Sequence, residues 1–201
     1  MPILSEDAFV GLLSPYLAVR QGLIPQLSVY LDLLVRWNGR TNLTAIRSPE
    51  EMVRRHFGES LFAGMNLGEP LPDTLLDLGS GAGFPGLPIA LLHPQIAVTL
   101  AESQNKKATF LREAVRTLGL KNVEVWAGRA ESLPPERQFH TVTLRAVDNM
   151  EAALAAAAPR ASHQIVLLTT GVAALPAGFS AEPPIQVPGR DSGILLRARR
   201  A

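Results

Sequence analysis

Four glycines, at 79, 81, 83 and 86, stand directly behind an acid, Asp77. The run before them, Thr74 to Leu78, is apolar except for that acid and reads as a buried strand. Glycines packed this densely let the backbone turn sharply and let a ligand approach the main chain. Leu87 to Leu92 reads as the start of a helix whose free N–H groups would face the same spot. A strand, a glycine turn and a helix make a site for a nucleotide-type cofactor. Asp77 stands where a carboxylate could approach that cofactor or brace the turn.

Gly81, Gly83 and Gly86 also satisfy the spacing of a dinucleotide fingerprint. Glu102 ends the next apolar run, where an acid would take a ribose hydroxyl pair. Both NAD(P)-dependent oxidoreductases and S-adenosylmethionine (SAM) methyltransferases need that acid. Two details favour SAM. Asp77 followed by Gly79 and Gly81 is similar to the first methyltransferase motif. Pro85 and Pro88 stiffen the helix start, where a pyrophosphate would want N–H donors that proline lacks.

Further candidates follow the other expected strands. Gly128 to Glu131 could meet an adenine edge or form an ordinary capped loop. Arg145 ends a strand inside the expected cleft, where a buried guanidinium needs a partner: a cofactor or substrate oxygen, or Asp148. Asn38, Asn42 and Thr44 cluster beside Trp37, either locking a loop or meeting substrate. His56, with Met52 and Phe57 nearby, reads as a core histidine rather than a base. The four histidines have no ligand spacing, so no metal is expected, and no Ser–His–Asp set can be nominated.

The elements that must position these residues fall into two parts. Residues 6–66 carry apolar side chains at three- and four-residue spacing, as at Leu27, Leu31, Leu34 and Trp37, and read as helical. Ser48, Pro49 and Glu51 mark a helix start. From Asp73 onward strands and helices alternate: strands at Thr74–Leu78, Ile96–Ala101, Asn122–Trp126, His140–Leu144 and Gln164–Thr169, with helices at Gly86–Leu92, Gln104–Leu118 and Asp148–Ala158 between them. Ile185–Val187 and Ile194–Arg197 read as a closing hairpin. The alternation predicts an α/β fold with a doubly wound, mostly parallel sheet and ligands at the carboxyl ends of its strands. The expected organisation is a helical extension over residues 1–70 and a cofactor-binding domain over 71–201, forming one compact unit.

The composition is that of an ordinary globular protein, 47% hydrophobic and 18% charged over 201 residues. With no cysteine there is no disulfide framework, thiolate metal site or cysteine nucleophile. The first residues lack a basic segment leading into an apolar core, and no apolar run is long enough to span a bilayer. A cytoplasmic protein away from membranes is expected. The net charge of +1 predicts no strong nonspecific attraction to nucleic acid. Arg54, Arg55, Lys106 and Lys107, and the C-terminal Arg190, Arg197, Arg199 and Arg200, read as solvated surface or as an RNA-facing rim.

In order along the chain, Trp37-Asn38, Asn42 to Thr44, Pro49 to Met52, Arg55-His56, Ser60, Asp77 to Pro88, Glu102-Ser103, Lys106-Lys107, Phe110-Leu111, Leu118, Asn122-Val123, Arg129 to Glu131, Arg145-Ala146 and Val187-Pro188 resemble one family: the small-subunit (16S) rRNA guanine-N7 methyltransferase G family, also called glucose-inhibited division protein B. The resemblance is close over residues 25–147 and looser elsewhere. It implies a class I, Rossmann-like SAM-dependent methyltransferase acting on N7 of a guanine in 16S rRNA of the small ribosomal subunit. It implies cofactor contacts at Gly79, Phe84, Glu102, Ala130, Glu131 and Arg145, besides the Asp77, Gly81 and Gly83 of the turn itself. It also lets Arg145 orient the guanine or the cofactor carboxylate. The chain departs from the family pattern at His140, Leu144, Thr170-Gly171, Pro159 to His163, and Ser192 to Ile194, where an arginine is expected. Those departures keep other readings open: a SAM methyltransferase acting on a small molecule or protein, an NAD(P)-binding oxidoreductase, or a silent ribosome-binding module.

Overall fold

The computed structural model describes residues 2–18, 20–146, 149–171 and 174–201. Helix α1 (Glu6–Leu13) starts at Ser5, whose hydroxyl accepts from the Ala8 N–H, and carries Glu6 and Asp7 where its first turn is electropositive. Helix α2 (Ile24–Thr41) has proline in its first turn and stops at Asn42, which takes a left-handed conformation at φ 49°. Leu27, Leu31 and Leu34 bury one stripe of α2, as their spacing predicts. Its continuation is Asn38, buried, while Trp37 is half-buried against Phe110.

Helix α3 (Pro49–Met52) is capped by Ser48, whose hydroxyl accepts from the Glu51 N–H at 3.2 Å. It runs through a π-helical stretch, Val53–Gly58, into α4 (Glu59–Met65). One widened stretch of this kind inside a helix re-aims the side chains around it, and such stretches recur at functional sites. Here it carries Arg55 and His56 and is followed at once by Glu59.

The remaining elements alternate as expected: β1 (Thr74–Leu78), α5 (Gly86–Leu92), β2 (Ala97–Ala101), α6 (Asn105–Thr117), β3 (Val123–Trp126), β4 (Phe139–Arg145), α7 (Met150–Ala157) and β5 (Ala161–Thr169), then the short β6 (Phe179–Ala181) and β7 (Ile185–Gln186), and β8 (Ile194–Arg200). The sheet order is β3-β2-β1-β4-β5-β8-β6, with β7 also paired to β8. β1 to β5 pair in parallel and β8 pairs antiparallel with β5, β6 and β7. The closing hairpin expected from β7 and β8 is present.

Two differences from the sequence reading stand out. β5 begins three residues earlier than expected, because Ala161 pairs with Phe139 beyond a bulge in β5, where a step of three residues from Ala161 to Gln164 matches a step of two from Phe139 to Thr141. β6, too short and too exposed to leave an apolar signature, adds a further strand beside β8.

Side chains on the sheet alternate between two cores, the period-2 consequence of a pleated strand. Leu75, Leu100, Val166 and Leu168 face a core shared with α1, α2, α4, α5 and α6. Leu76, Val142, Leu144, Ile165 and Leu167 face a second core that includes Ala153, Leu154 and Ala157 of α7. The N-terminal helices therefore pack into the same core as the sheet. The strand order reverses between β1 and β4, so the carboxyl ends of these two strands flank a crevice, the usual ligand position in an open α/β sheet.

Candidate active site

The crevice is floored by the glycine turn after β1. Gly79, Gly81 and Gly83 all have positive φ, 72°, 59° and 91°. They divide by what surrounds them. A Cβ at Gly79 would meet nothing within 4 Å, and one at Gly81 only the Gly79 carbonyl at 3.9 Å. Their missing side chains leave room for a ligand. At Gly83 a Cβ would lie 2.5 Å from Leu87 and from the Tyr30 hydroxyl, and at Gly86 2.4 Å from Leu100. Those two glycines serve packing: α2 and β2 come so close to the turn that no side chain fits.

Asp77 is 1% exposed and turned inward. Its carboxylate accepts from the Gly86 N–H at 3.1 Å and the Thr143 hydroxyl at 2.8 Å. Of the two roles open to Asp77, this geometry is the brace: it ties the helix start and β4 to the turn. Burial pushes its carboxyl up to about 6, against the lowering effect of those hydrogen bonds.

Glu102, 6% exposed, stands across the crevice. One carboxylate oxygen accepts from the Gly81 N–H at 2.9 Å and the other from the Gln104 N–H at 2.7 Å. A carboxylate offers about four lone-pair directions, so two remain for ligand hydroxyls. All but one of the turn's own amides, that of Ala82, are already used. Gly79 and Ser80 donate to Ala101, Gly81 to Glu102, and Gly83 and Phe84 to Ser80. A dinucleotide pyrophosphate depends on such amides being free. The NAD(P) reading loses its main physical support here, whereas a ribose on Glu102 keeps its own.

Phe84 is buried in a column of rings: Tyr30 stacks on one side at 5.3 Å and His56 at 4.8 Å, nearly parallel to it. The Tyr30 hydroxyl donates to the Ala82 carbonyl and so ties α2 to the turn. His56 is not sealed in the core, contrary to the sequence reading; the π-helical stretch turns it to the crevice wall. Its Nδ1 lies 3.0 Å from an Arg145 guanidinium nitrogen and its Nε2 2.7 Å from the Thr44 hydroxyl. A guanidinium can only donate, so Nδ1 accepts and Nε2 carries the proton toward Thr44. Burial and the neighbouring Arg145 and Arg55 lower its pKa to about 3, which keeps the ring neutral.

Thr44 is held in place by Asn38. The Asn38 side chain accepts from the Thr44 N–H at 2.8 Å and donates to the Ile46 carbonyl at 3.2 Å. Asn42 accepts from Arg47 at 2.8 Å. The polar cluster beside Trp37 thus locks the loop and presents Thr44 to the site.

Arg145, at the end of β4, finds the partner its position demands. Its side chain is 12% exposed and donates to the Glu59 carboxylate at 3.1 Å and the Arg55 carbonyl at 2.8 Å, as well as to His56. The alternative partner Asp148 lies outside the described residues. Glu59 escaped the sequence reading altogether. It is 1% exposed and also receives Arg55 Nε at 3.2 Å and Arg190 at 3.3 Å. The only sequence signal was its helical spacing from Arg55.

Two cavities meet along this wall. One, about 240 Å³, lies over the glycine turn and is lined by Gly79, Ser80, Gly81, Phe84 and Lys107. The other, about 390 Å³, is lined by Arg55, Glu59, Met150, Thr169 and Arg190. Thr44, His56, Arg145 and Ala146 border both. Ala146 has φ 50°, a left-handed conformation rare for a residue with a side chain, of the kind that concentrates at functional sites. Ala130 and Glu131 stand at the same sheet edge beyond β2, in a short 3₁₀ turn after β3, and line neither cavity. Among the described residues no cluster of histidine and acidic side chains could hold a metal ion.

The model of the family described as rRNA small subunit methyltransferase G matches residues 23–173. The chain belongs to that family. It is 44% identical over 174 residues to a ribosomal RNA small subunit methyltransferase G from Xanthomonas campestris pv. campestris (strain 8004), covering 81% of this chain and 79% of the relative. Against the protein of the same description from Stenotrophomonas maltophilia (strain K279a), identity is 43% over 176 residues, covering 83% and 82%. Among solved structures, a putative O-methyltransferase from Klebsiella pneumoniae superposes with a TM-score of 0.63 at 16% identity, covering 94% of this chain and 98% of that one. Magnesium protoporphyrin IX methyltransferase from Synechocystis PCC 6803, solved with bound SAH, gives 0.61 at 16% identity, covering 85% and 93%. These likenesses establish the class I methyltransferase fold. The family match spans both parts of the site, the helical segment with His56 and Glu59 and the sheet edge with the glycine turn and Arg145.

Proposed function

We propose that this protein uses SAM to methylate N7 of a guanine in 16S rRNA of the small ribosomal subunit. The observation that supports this most is that a glycine-floored cofactor crevice shares one wall, His56 and Arg145, with a cation-lined cavity, in a chain of the rRNA methyltransferase G family. The residues present fit the cofactor: open space above Gly79 and Gly81, and a Glu102 carboxylate with accepting capacity to spare. SAM supplies an electrophilic methyl group on a sulfonium.

On this reading Glu102 takes the ribose hydroxyls, Gly79 and Gly81 admit the cofactor against bare backbone, and Gly83 and Asp77 hold the turn's shape. Phe84, packed against His56, forms a water-excluding apolar wall. Ala130 and Glu131 reach the adenine end from beyond β2. Guanine N7 carries a free lone pair, so no general base is needed, in keeping with a neutral His56. The enzyme's task is alignment and exclusion of water. Arg145, clamped by Glu59, orients substrate or cofactor oxygens at the shared wall. The target base must leave its stack to enter so enclosed a site.

The helical residues 1–70 and the catalytic residues 71–201 act as one unit through their common core. The protein works on ribosomal RNA in the cytoplasm; among the described residues no helix is long and apolar enough to cross a membrane. Purified protein with labelled SAM should mark small subunits that lack the modification, and mass mapping should place the label on one guanine. Label on a small molecule or protein, with none on rRNA, overturns the proposal.

A further inference from the structure

The larger cavity holds more positive charge than its internal partners use. Among the described residues that line it, three guanidiniums, from Arg55, Arg145 and Arg190, face one carboxylate, Glu59, so with His56 neutral these side chains carry a net charge of +2. Their exposure rises outward: Arg145 12%, Arg190 26%, Arg55 38%. Arg55 also lies 3.8 Å from Glu51 at the rim, a loose and exposed pair. Each guanidinium carries five N–H donors in a planar fork. Arg190 uses one of them on Glu59. The buried carboxylate takes one donor nitrogen of each fork, Nε of Arg55, Nη2 of Arg145 and Nη1 of Arg190, and all three side chains line the cavity.

We infer that this cavity is a phosphodiester site for RNA, in which Arg190 and Arg55 hold a backbone phosphate of the nucleotide whose base reaches the shared wall. The inference rests on the rRNA reading above and adds the residues that grip the strand. A track of cations running from the wall to the surface suits a ligand that enters from outside with chain attached. A free carboxylate lying wholly within the crevice would need only the innermost of them. Phosphate recognition by paired donors is what the guanidinium fork does best. Arg190 comes from the loop between β7 and β8, so the C-terminal hairpin supplies substrate contact as well as closing the sheet.

Arg190→Gln tests this in the full-length protein, with SAH titrated by calorimetry and methyl transfer measured on unmodified small subunits at several salt concentrations. Arg190 is partly exposed and Glu59 keeps two other partners, so the variant is expected to fold. The expected result is a KM for subunits raised roughly tenfold or more, a salt dependence shallower by about one phosphate contact, and unchanged SAH affinity. Arg190→Lys should recover part of the loss by restoring the charge without the fork. Unchanged KM and salt slope overturn the inference while leaving the methyltransferase reading intact. A parallel loss of SAH affinity also overturns it, because the cation then serves the cofactor. A wild-type chain that binds SAH but transfers nothing to subunits overturns the rRNA reading, and this inference with it.

Discussion

Replacing Glu59 by glutamine keeps the side chain's shape and removes the carboxylate that, among the described residues, Arg55, Arg145 and Arg190 share. The site is nearly sealed at its centre, with Glu59 1% and Arg145 12% exposed, so water cannot take over the lost interaction there. Breaking a buried ion pair by removing one partner typically costs about 3–5 kcal/mol, because it strands the other charge. Arg55 and Arg190 are wetter and are partly screened by solvent, which places the expected loss at the lower end, about 3 kcal/mol. In a domain of this size that corresponds to a melting temperature lower by roughly 6–12 °C. Chemical denaturation with parallel thermal melts measures it. Adding salt should recover part of the loss by screening the three cations from one another. In a double-mutant cycle, Arg190→Gln should be less costly in the Glu59→Gln background than alone. A Glu59→Gln variant within about 0.5 kcal/mol of wild type, the range of ordinary surface substitutions, would refute the view that this carboxylate organises the cluster.

Three further outcomes follow from the geometry. Gly81→Val fills the space above the turn and places a β-branched residue at φ 59°; it should lower SAH affinity at least a hundredfold and stability by about 1–2 kcal/mol, and unchanged affinity in calorimetry would remove the proposed crevice. Asp77 has a folded-state pKa raised from 3.8 to about 6, so the folded form holds its proton more tightly; its favourable contribution is present below pH 4 and is lost as pH rises through 6. Wild-type stability minus that of Asp77→Asn should therefore fall by on the order of 3 kcal/mol between pH 4 and pH 7, and a flat difference would contradict the burial of an ionisable Asp77. His56, with its pKa lowered to about 3, stays neutral while an unfolded histidine protonates below pH 6.5, so it draws stability down as pH falls below that value. Its ring protons should not shift in NMR between pH 5 and pH 8, and a midpoint near 6.5 would show that the ring is neither buried nor held against the guanidinium.

What was legible in the chain was local. The glycine turn announced itself because clustered glycines are conformationally expensive, and the strand before it and the helix after it have short-range periodicity. The parallel sheet followed from alternation. The hairpin's two strands carried a weak apolar signal, and β6 carried none, since an edge strand of three mostly exposed residues is recognised only by the partner it pairs with. The basic C-terminus read as solvated surface or as an RNA-facing rim, yet Arg197 and Arg199 pair with Glu182 and Arg200 donates to the carbonyls of Ala158 and Ala161. His56 read as a core residue because its neighbours Met52 and Phe57 are apolar, and helical periodicity says nothing of a π-helical stretch that turns one ring out to a cavity.

The sequence by itself determined the strand, turn and helix that make a cofactor site, the acid at Glu102 across from it, and the family. The strand, turn and helix depend on residues within a few positions of one another, where backbone sterics and periodicity act, and the family on the order of short segments along the chain. Only the tertiary structure decided which glycines face a ligand and which face neighbouring side chains, and that Asp77 braces rather than reaches out. It alone joined Glu59 to Arg145, 86 residues on, and to Arg190, 131 residues on. A charged side chain among helical residues looks solvated until the fold carries it out of water, and its partners are then fixed by which strand ends and hairpin loop arrive at the same place.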